Sequence, residues 1–246
     1  MTNSELLAHV YASIFNYPLN SKEAKLWRIN LKKTSEEKLY FAKKVAEDLQ
    51  KISFIQAVFV TGSVSAGNAN NDADIDLMIV TKPGTLWLTR VFVVSYLKRK
   101  KIYKQTVCPN IFLDANNLEV KVKNHYPAHE VLQVKCLFDR SNINYRWFKE
   151  NDWTKYYLPG AYKVNKANMT NQSISNKYQL TNFKLIVLAI GILDLLAFIV
   201  QFLFMKRKMT NESVGLGYAF FHPNNLSQGV MDKFNKKLRD LGIMYK

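Results

Sequence analysis

Two short apolar segments, each ending beside a few polar residues, constrain this chain most. Residues 57–60 are β-branched or aromatic apart from one alanine and lead into Thr61-Gly62-Ser63; residues 75–80 are interrupted only by Asp76 and end shortly before Pro83-Gly84. Such runs bounded by turn residues predict two buried strands. Because side chains alternate between the faces of a strand, Asp74 and Asp76 project from one face while Ile75 points to the other, toward a core.

These polar residues suit a metal-bound phosphate ligand. Two adjacent carboxylates repel each other unless a cation lies between them, and an oxygen-only, doubly anionic site suits Mg²⁺, or Mn²⁺ in its place. Gly62 allows the backbone to pass close to a phosphate, and Ser63 offers a hydroxyl and a main-chain N–H if a helix begins there. The turn and the two acids are therefore predicted to bind one ligand, a triphosphate with its metal.

The order Gly62-Ser63, a short spacer, then Asp74-Ile75-Asp76-Leu77 resembles the signature of the nucleotidyltransferase superfamily, which includes DNA polymerase β. The resemblance implies an α/β (α+β) polymerase β-like fold, a short mixed sheet flanked by helices, with a helical C-terminal region. It also implies transfer of a nucleoside monophosphate from a triphosphate to a hydroxyl acceptor, which could be a small molecule, RNA or protein. Residues 52–157 and 209–246 together resemble uncharacterised bacterial nucleotidyltransferase-domain proteins.

The superfamily usually places a third carboxylate on a strand beside the Asp-x-Asp strand, and this chain offers two acids near that place. A strand is predicted over 107–113, and the period-two rule puts Asp114 on the same face as Asn110, which makes Asp114 the predicted third catalytic acid. Glu119 is the alternative. If neither contributes, the rival interpretation is a weak or inactive protein of this fold that binds nucleic acid or an anionic membrane surface.

The charge of the chain favours anionic partners. Among 246 residues, 35 are basic and 19 acidic, for a formal net charge of +16. Such an excess favours nucleic acid, nucleotides or an anionic membrane surface without choosing among them. Cys108 and Cys136 lack metal-site spacing and indicate reduced thiols, and no signal peptide is recognised at the N-terminus, so a cytoplasmic catalytic domain is expected.

Four segments are expected along the chain. Residues 1–34 are predicted to be a helical segment that resembles a truncated winged helix, and 35–160 to be the nucleotidyltransferase domain. Residues 161–183 have the composition of a linker, and 184–246 are predicted to be a helical C-terminal region.

Within the catalytic domain, helices are predicted over 35–51, 86–97 and 128–140. Arg90, on the second of these, is a candidate to face the cleft. On the third, His129 is expected to cap or pack more readily than to carry a proton, and Arg140 to reach a phosphate or form an ion pair.

A long apolar helix is predicted over residues 185–205. At a rise of about 1.5 Å per residue it would extend for about 31 Å, which matches the thickness of a bilayer core. Asp194 opposes insertion, and together with Gln201 it forms a thin polar stripe on one face. The pattern therefore leaves two interpretations open, contact with a membrane through 185–205 or a helix buried against the domain.

Overall fold

A computed structural model of the protein describes residues 12–14, 32–169, 184–207, 209, 212–221 and 225–242. Six strands in the described part form one mixed sheet in the order β4-β1-β2-β3-β6-β5. Their bounds are β1 Ile55–Thr61, β2 Ile75–Thr81, β3 Val107–Asp114, β4 Lys135–Asp139, β5 Ser213–Val214 and β6 Tyr218–Phe220.

Helices flank this sheet. Those described are α1 Lys32–Leu49, α2 Gly62–Ala66, α3 Leu86–Arg99, α4 His125–Gln133, α5 Ile143–Glu150, α6 Pro159–Met169, α7 Lys184–Lys206 and α8 Asn225–Asp240, with a 3₁₀ turn over Asp152–Tyr156. One face of the sheet packs in a core with α1 and α3 around Trp87, and the other in a core with α4 and α5 around Phe59. Both faces of the central strands are therefore covered.

Strand register decides which polar residues meet. Strands β1 and β2 are antiparallel, so that Thr61 at the end of β1 lies opposite Asp76 near the start of β2. Strands β2 and β3 are parallel, with Asp76 beside Cys108 at one end of the pair and Thr81 beside Asp114 at the other. One edge of the sheet therefore collects the Gly62 turn and the acids of β2.

The predicted α/β fold class is confirmed: the described residues form a mixed sheet flanked by helices. The C-terminal region adds to its helices the two short strands β5 and β6, which extend the same sheet from β3. Helix α6 reaches Met169, inside the segment expected to be a linker. The N-terminal segment 1–34 lies mostly outside the described residues, so its domain assignment stays a prediction.

The helix predicted over 128–140 is wrong in its second half. Helix α4 ends at Gln133, and Val134 is extended, with φ −56° and ψ 144°. Strand β4 follows and pairs with β1, placing Phe138 opposite Val58. Pairing with an otherwise open edge of the sheet satisfies the backbone there, and this tertiary contact overrides the helical spacing of the apolar residues.

Candidate active site

The site begins where β1 turns into α2. Gly62 adopts the left-handed backbone conformation, with φ +63°. A Cβ atom at this position would lie 2.5 Å from Oδ2 of Asp76, a separation that real side chains do not tolerate. Glycine is therefore required here both for its backbone angle and for the close approach of the turn to the carboxylate. Ser63 follows in the first turn of α2 and is half-buried.

Asp76 is held from the neighbouring strand. A register shift between Leu77 and Met78 marks a bulge in the pairing of β2 with β3. At this irregularity Asn110 turns its side chain to β2, and its Nδ2 donates a hydrogen bond to Oδ1 of Asp76. Bulges commonly re-aim a side chain beside a functional site. Asp74, just before β2, is half-exposed near this pair.

The electrostatics of Asp76 favour a cation. Burial, with a contribution from the negative charge of Asp74, raises the pKa of Asp76 from its ordinary value of 3.8 to about 7, while the hydrogen bond from Asn110 acts in the opposite direction. A divalent cation beside the two carboxylates would relieve this repulsion and keep both ionised. The oxygen-only donor set fits Mg²⁺ or Mn²⁺.

The two acids open into a cavity of about 350 Å³ that carries both signs of charge. Its walls come from the start of β2, from α3, from β3 with the turn before it, and from the residue after β6. They comprise Asp74, Asp76, Arg90, Tyr103, Lys104, Cys108, Pro109, Asn110 and Phe221. Carboxylates next to an arginine and a lysine suit a metal on one side and phosphate oxygens on the other.

Arg90 is fixed in this cavity by two contacts. Its Nη1 donates a hydrogen bond to Oε1 of Gln201 at 2.5 Å, and its guanidinium carbon lies 4.4 Å from the centroid of the Phe221 ring. Its Nε is buried without a hydrogen-bond partner among the described residues. A guanidinium fixed in this way retains donors for a phosphate. This agrees with the expectation that Arg90 faces the cleft.

The structure does not bring Asp114 to the other acids. It lies six register positions along β3 from Cys108, the neighbour of Asp76. At about 3.3 Å per residue this separates the two acids by roughly 20 Å. Oδ1 of Asp114 instead accepts hydrogen bonds from the backbone N–H of Asn116 and from Nδ2 of Asn117, which closes a turn. The prediction of Asp114 as the third catalytic acid is therefore wrong. Alternation along a strand determines the face on which a side chain lies, but not its distance along the strand from Asp76.

Other candidates are also used structurally. Glu119 is paired with Lys121 and Lys123. Among the described residues, the guanidinium of Arg140 donates to the carbonyls of Gln50, Ser53 and Ile55, which gives it a structural use. Burial lowers the pKa of His129 to about 4, which keeps its ring neutral and accords with a packing role.

Sequence reasoning missed two residues near Asp76. Asn110 was recognised only as a neighbour in the pattern, and no signal in the sequence shows the bulge that aims it at Asp76. Glu130 on α4 is the second, and it is absent from the residues that the sequence pattern singles out. Burial first, and then the charge of Asp76, raise the pKa of Glu130 to about 7, so the two groups titrate as a coupled pair. The amphipathic spacing of α4 is the signal that could have suggested a place for Glu130 near Asp76.

Taken together, the turn, the paired carboxylates and the fixed arginine have the chemistry that a metal and a phosphorylated ligand require. Residues 42–140 match the family model of the nucleotidyltransferase domain, which confirms the superfamily that Gly62-Ser63 and Asp74-Ile75-Asp76 indicate. This match supports transfer of a nucleoside monophosphate as the general class of chemistry.

Two of the chains that are similar among solved structures are both remote in sequence. One is described as a toxin–antitoxin with AMP-PNP; it is 15% identical, with a TM-score of 0.33, over 52% of this chain and 98% of that one. The other is a mutant of the toxin–antitoxin MntA–HpeT, 14% identical, with a TM-score of 0.30, over 51% of this chain and 93% of that one. A search of curated proteins finds no match.

Proposed function

We propose that this protein transfers a nucleoside monophosphate from a nucleoside triphosphate to a hydroxyl acceptor, with Mg²⁺ or Mn²⁺ as cofactor. The acceptor oxygen forms a bond to the α-phosphorus, the bond from that phosphorus to the bridging oxygen breaks, and pyrophosphate leaves with that oxygen. The hydroxyl proton passes to solvent or to a base. The observation that carries the proposal is the convergence of Asp74, Asp76 and Arg90 on one cavity beside the Gly62 turn.

Each residue has a defined task in this proposal. Asp74 and Asp76 would hold the metal, which when bound stabilises the negative charge that develops on the phosphate oxygens. Gly62 would let the backbone approach the β- and γ-phosphates, and Ser63 would donate to them. Arg90 would bind a phosphate oxygen through its free donor and orient the triphosphate in the cavity.

The setting of the reaction is part of the proposal. The catalytic domain would act in the cytoplasm, where nucleoside triphosphates are abundant, and its thiols Cys108 and Cys136 are both unpaired. The acceptor is a small molecule, RNA or protein. The net charge of +16 favours nucleic acid as a polyanionic partner.

Direct assay tests the proposal. The purified full chain is incubated with each α-labelled nucleoside triphosphate, with Mg²⁺ or Mn²⁺ and with candidate acceptors, including the protein itself. We expect metal-dependent release of pyrophosphate with transfer of label, and its loss in Arg90→Gln and Asp76→Asn. Absence of both metal-dependent nucleotide binding and transfer in the wild type would refute the proposed function.

A second function is favoured by one specific observation, the amide at Asn110. The side chain that meets Asp76 from β3 is a neutral amide and not a carboxylate. Among the described residues, no group of three or more His, Cys, Asp or Glu side chains is placed to hold a metal ion. A protein with two acids could bind a nucleotide, nucleic acid or an anionic membrane without turnover. Metal-dependent nucleotide binding with no transfer to any acceptor would support this second function.

A further inference from the structure

Helix α7 presents a wide apolar face to solvent. Its segment Val187–Lys206 is long and apolar enough to cross a membrane, yet it is almost wholly unburied in the fold. Large apolar side chains on this outward face are about half exposed or more. They are Leu188, Ile192, Leu193, Leu195, Leu196, Ile199, Val200, Leu203 and Phe204. Contiguous exposed apolar surface of this extent marks an interaction site.

The polar residues of α7 point the other way, into the protein. Oδ1 of Asp194 accepts a hydrogen bond of 2.7 Å from the backbone N–H of Leu88, in the first turn of α3. A carboxylate at a helix N-terminus is favoured by the exposed N–H groups and by the helix dipole, and Thr85 at the start of α3 provides no side-chain cap. Asp194, the residue that opposes membrane insertion in the sequence, is therefore used to fasten α7 to the domain.

The same inward stripe continues along the helix. Nε2 of Gln201 donates to the carbonyl of Trp87 at 2.9 Å, and the Phe198 ring lies 5.0 Å from the Trp87 ring. Ala197 and Met205 pack against the core on the same side. These positions recur at helical spacing, so α7 has one face bonded to the domain and one face bare.

Cations border the bare face. Lys206 and Arg207 are exposed at the end of α7. The chain as a whole is basic, with a formal net charge of +16. A long apolar face flanked by lysine and arginine is the pattern of a helix that lies on a membrane surface.

We propose that the outward face of α7 docks on an anionic lipid bilayer, with the helix lying in the plane of the surface and not across it. To span a bilayer the helix would have to leave the domain and expose the stripe from Asp194 to Met205, which the domain now covers. The apolar side chains enter the boundary between headgroups and acyl chains, and the flanking cations contact anionic headgroups. A second copy of the chain is the alternative occupant of this face, and the experiment below distinguishes it from lipid. This inference does not depend on the transfer activity.

Vesicle flotation tests the proposal with the full chain. We expect the wild type to float with phosphatidylcholine vesicles that contain phosphatidylglycerol, to float less at high salt, and to bind pure phosphatidylcholine weakly. The double variant Leu196→Glu, Leu203→Glu places two acids seven residues apart on the bare face. It should partition at least about tenfold more weakly, because apolar contact is lost and anionic lipid repels the new charges.

Matched changes keep this test decisive. The control Val164→Glu, Tyr156→Glu alters exposed apolar residues on α6 and the 3₁₀ turn and should float like the wild type. Circular dichroism and metal-dependent nucleotide binding report whether each variant is folded. Equal flotation of the wild type and the α7 double variant, or no flotation of the wild type, would overturn the proposal. Retention in cell membranes after alkaline carbonate extraction would overturn the in-plane arrangement. If the wild type is a dimer without lipid binding, and the α7 double variant is a monomer, the face belongs to a contact between two copies.

Discussion

The two ends of the β2–β3 pair carry similar residues in different surroundings. At one end Asp76 faces a cavity, a second carboxylate and the amide of Asn110, and its pKa rises to about 7. At the other end Asp114 accepts two hydrogen bonds from the turn that follows it. The same carboxyl group is thus set up for a charged ligand at one end and for a stable turn at the other, and its neighbours decide which.

The largest expected effect separates these two acids. Asp76→Asn should lower transfer by on the order of 10³-fold, because it removes a metal ligand worth several kcal/mol to the transition state. Asp114→Asn should retain transfer within about threefold while lowering the free energy of unfolding by roughly 1 kcal/mol through the weakened turn. Rates and chemical denaturation of both variants check this. An inactive, stably folded Asp114→Asn protein would show that the two ends are not distinct in function.

A second test uses two glycines with similar backbone angles. Gly62→Ala should destabilise the fold by about 3 kcal/mol and abolish nucleotide binding, since the new Cβ meets the Asp76 carboxylate. Gly84, with φ +69° and no atom within 4 Å of a Cβ, is the control. Gly84→Ala should cost only about 1 kcal/mol from backbone strain and leave binding intact. Denaturation and nucleotide titration measure the two effects, and equal losses in both variants would remove the special role of the Gly62 turn.

A third test follows the proton affinity of the Asp76 end. The pKa values of Asp76 and Glu130 are raised to about 7 from 3.8 and 4.5, so the folded state holds these protons more tightly than the unfolded state. This contribution is full below the unfolded pKa values and is lost as the pH rises through 7. Between pH 6.5 and 8 the metal-free protein should therefore lose roughly 1 to 2 kcal/mol of stability.

The pH window avoids the opposing titration of the buried His129, whose ring is neutral throughout it. Thermal denaturation without metal measures the slope, and Glu130→Gln should reduce it by about half. Added Mg²⁺ should stabilise the protein more at pH 8 than at pH 6.5, because it binds the ionised carboxylates. A melting temperature independent of pH in this range would contradict the coupled pair.

The smallest expected effect comes from adding a third carboxylate beside Asp74 and Asp76. Asn110→Asp removes the amide donor and adds a carboxylate, so it should destabilise the metal-free protein and tighten Mg²⁺ binding by about tenfold. Asn116→Asp, exposed at the opposite end, is the control and should leave metal binding unchanged. Calorimetric titration with Mg²⁺ measures both. Unchanged Mg²⁺ affinity in Asn110→Asp would mean that the amide position lies outside the metal's reach.

The sequence allowed us to predict that Gly62, Asp74 and Asp76 lie together, but not that Asp114 lies at the opposite end of the strand pair, and the reason is physical. Gly62, Asp74 and Asp76 follow from local turn chemistry and strand alternation, which short windows encode. The place of Asp114 depends on how β3 is set against β2, and the aim of Asn110 depends on a bulge; both are consequences of tertiary pairing. Residues 135–139 show the same limit, because an available sheet edge turned an expected helix into β4.

Only one of the two faces of α7 could be predicted from the sequence. The spacing of Asp194 and Gln201 predicted one polar stripe, and that stripe is found facing the domain. Composition alone could not tell that the remaining surface stays bare, since this depends on how much of α7 the fold covers.

The pairing of β6 with β3 has a consequence for how the chain is made. Ile111 on β3 pairs with Phe220 on β6, which lies more than 100 residues later in the chain. The six-stranded sheet is therefore incomplete until α7 and the strands after it have left the ribosome. Such a distant contact slows folding and leaves the edge of β3 open meanwhile. A fragment cut at residue 140 would contain the nucleotidyltransferase domain over residues 42–140 but would leave that edge permanently unpaired, and we expect it to aggregate where the full chain does not.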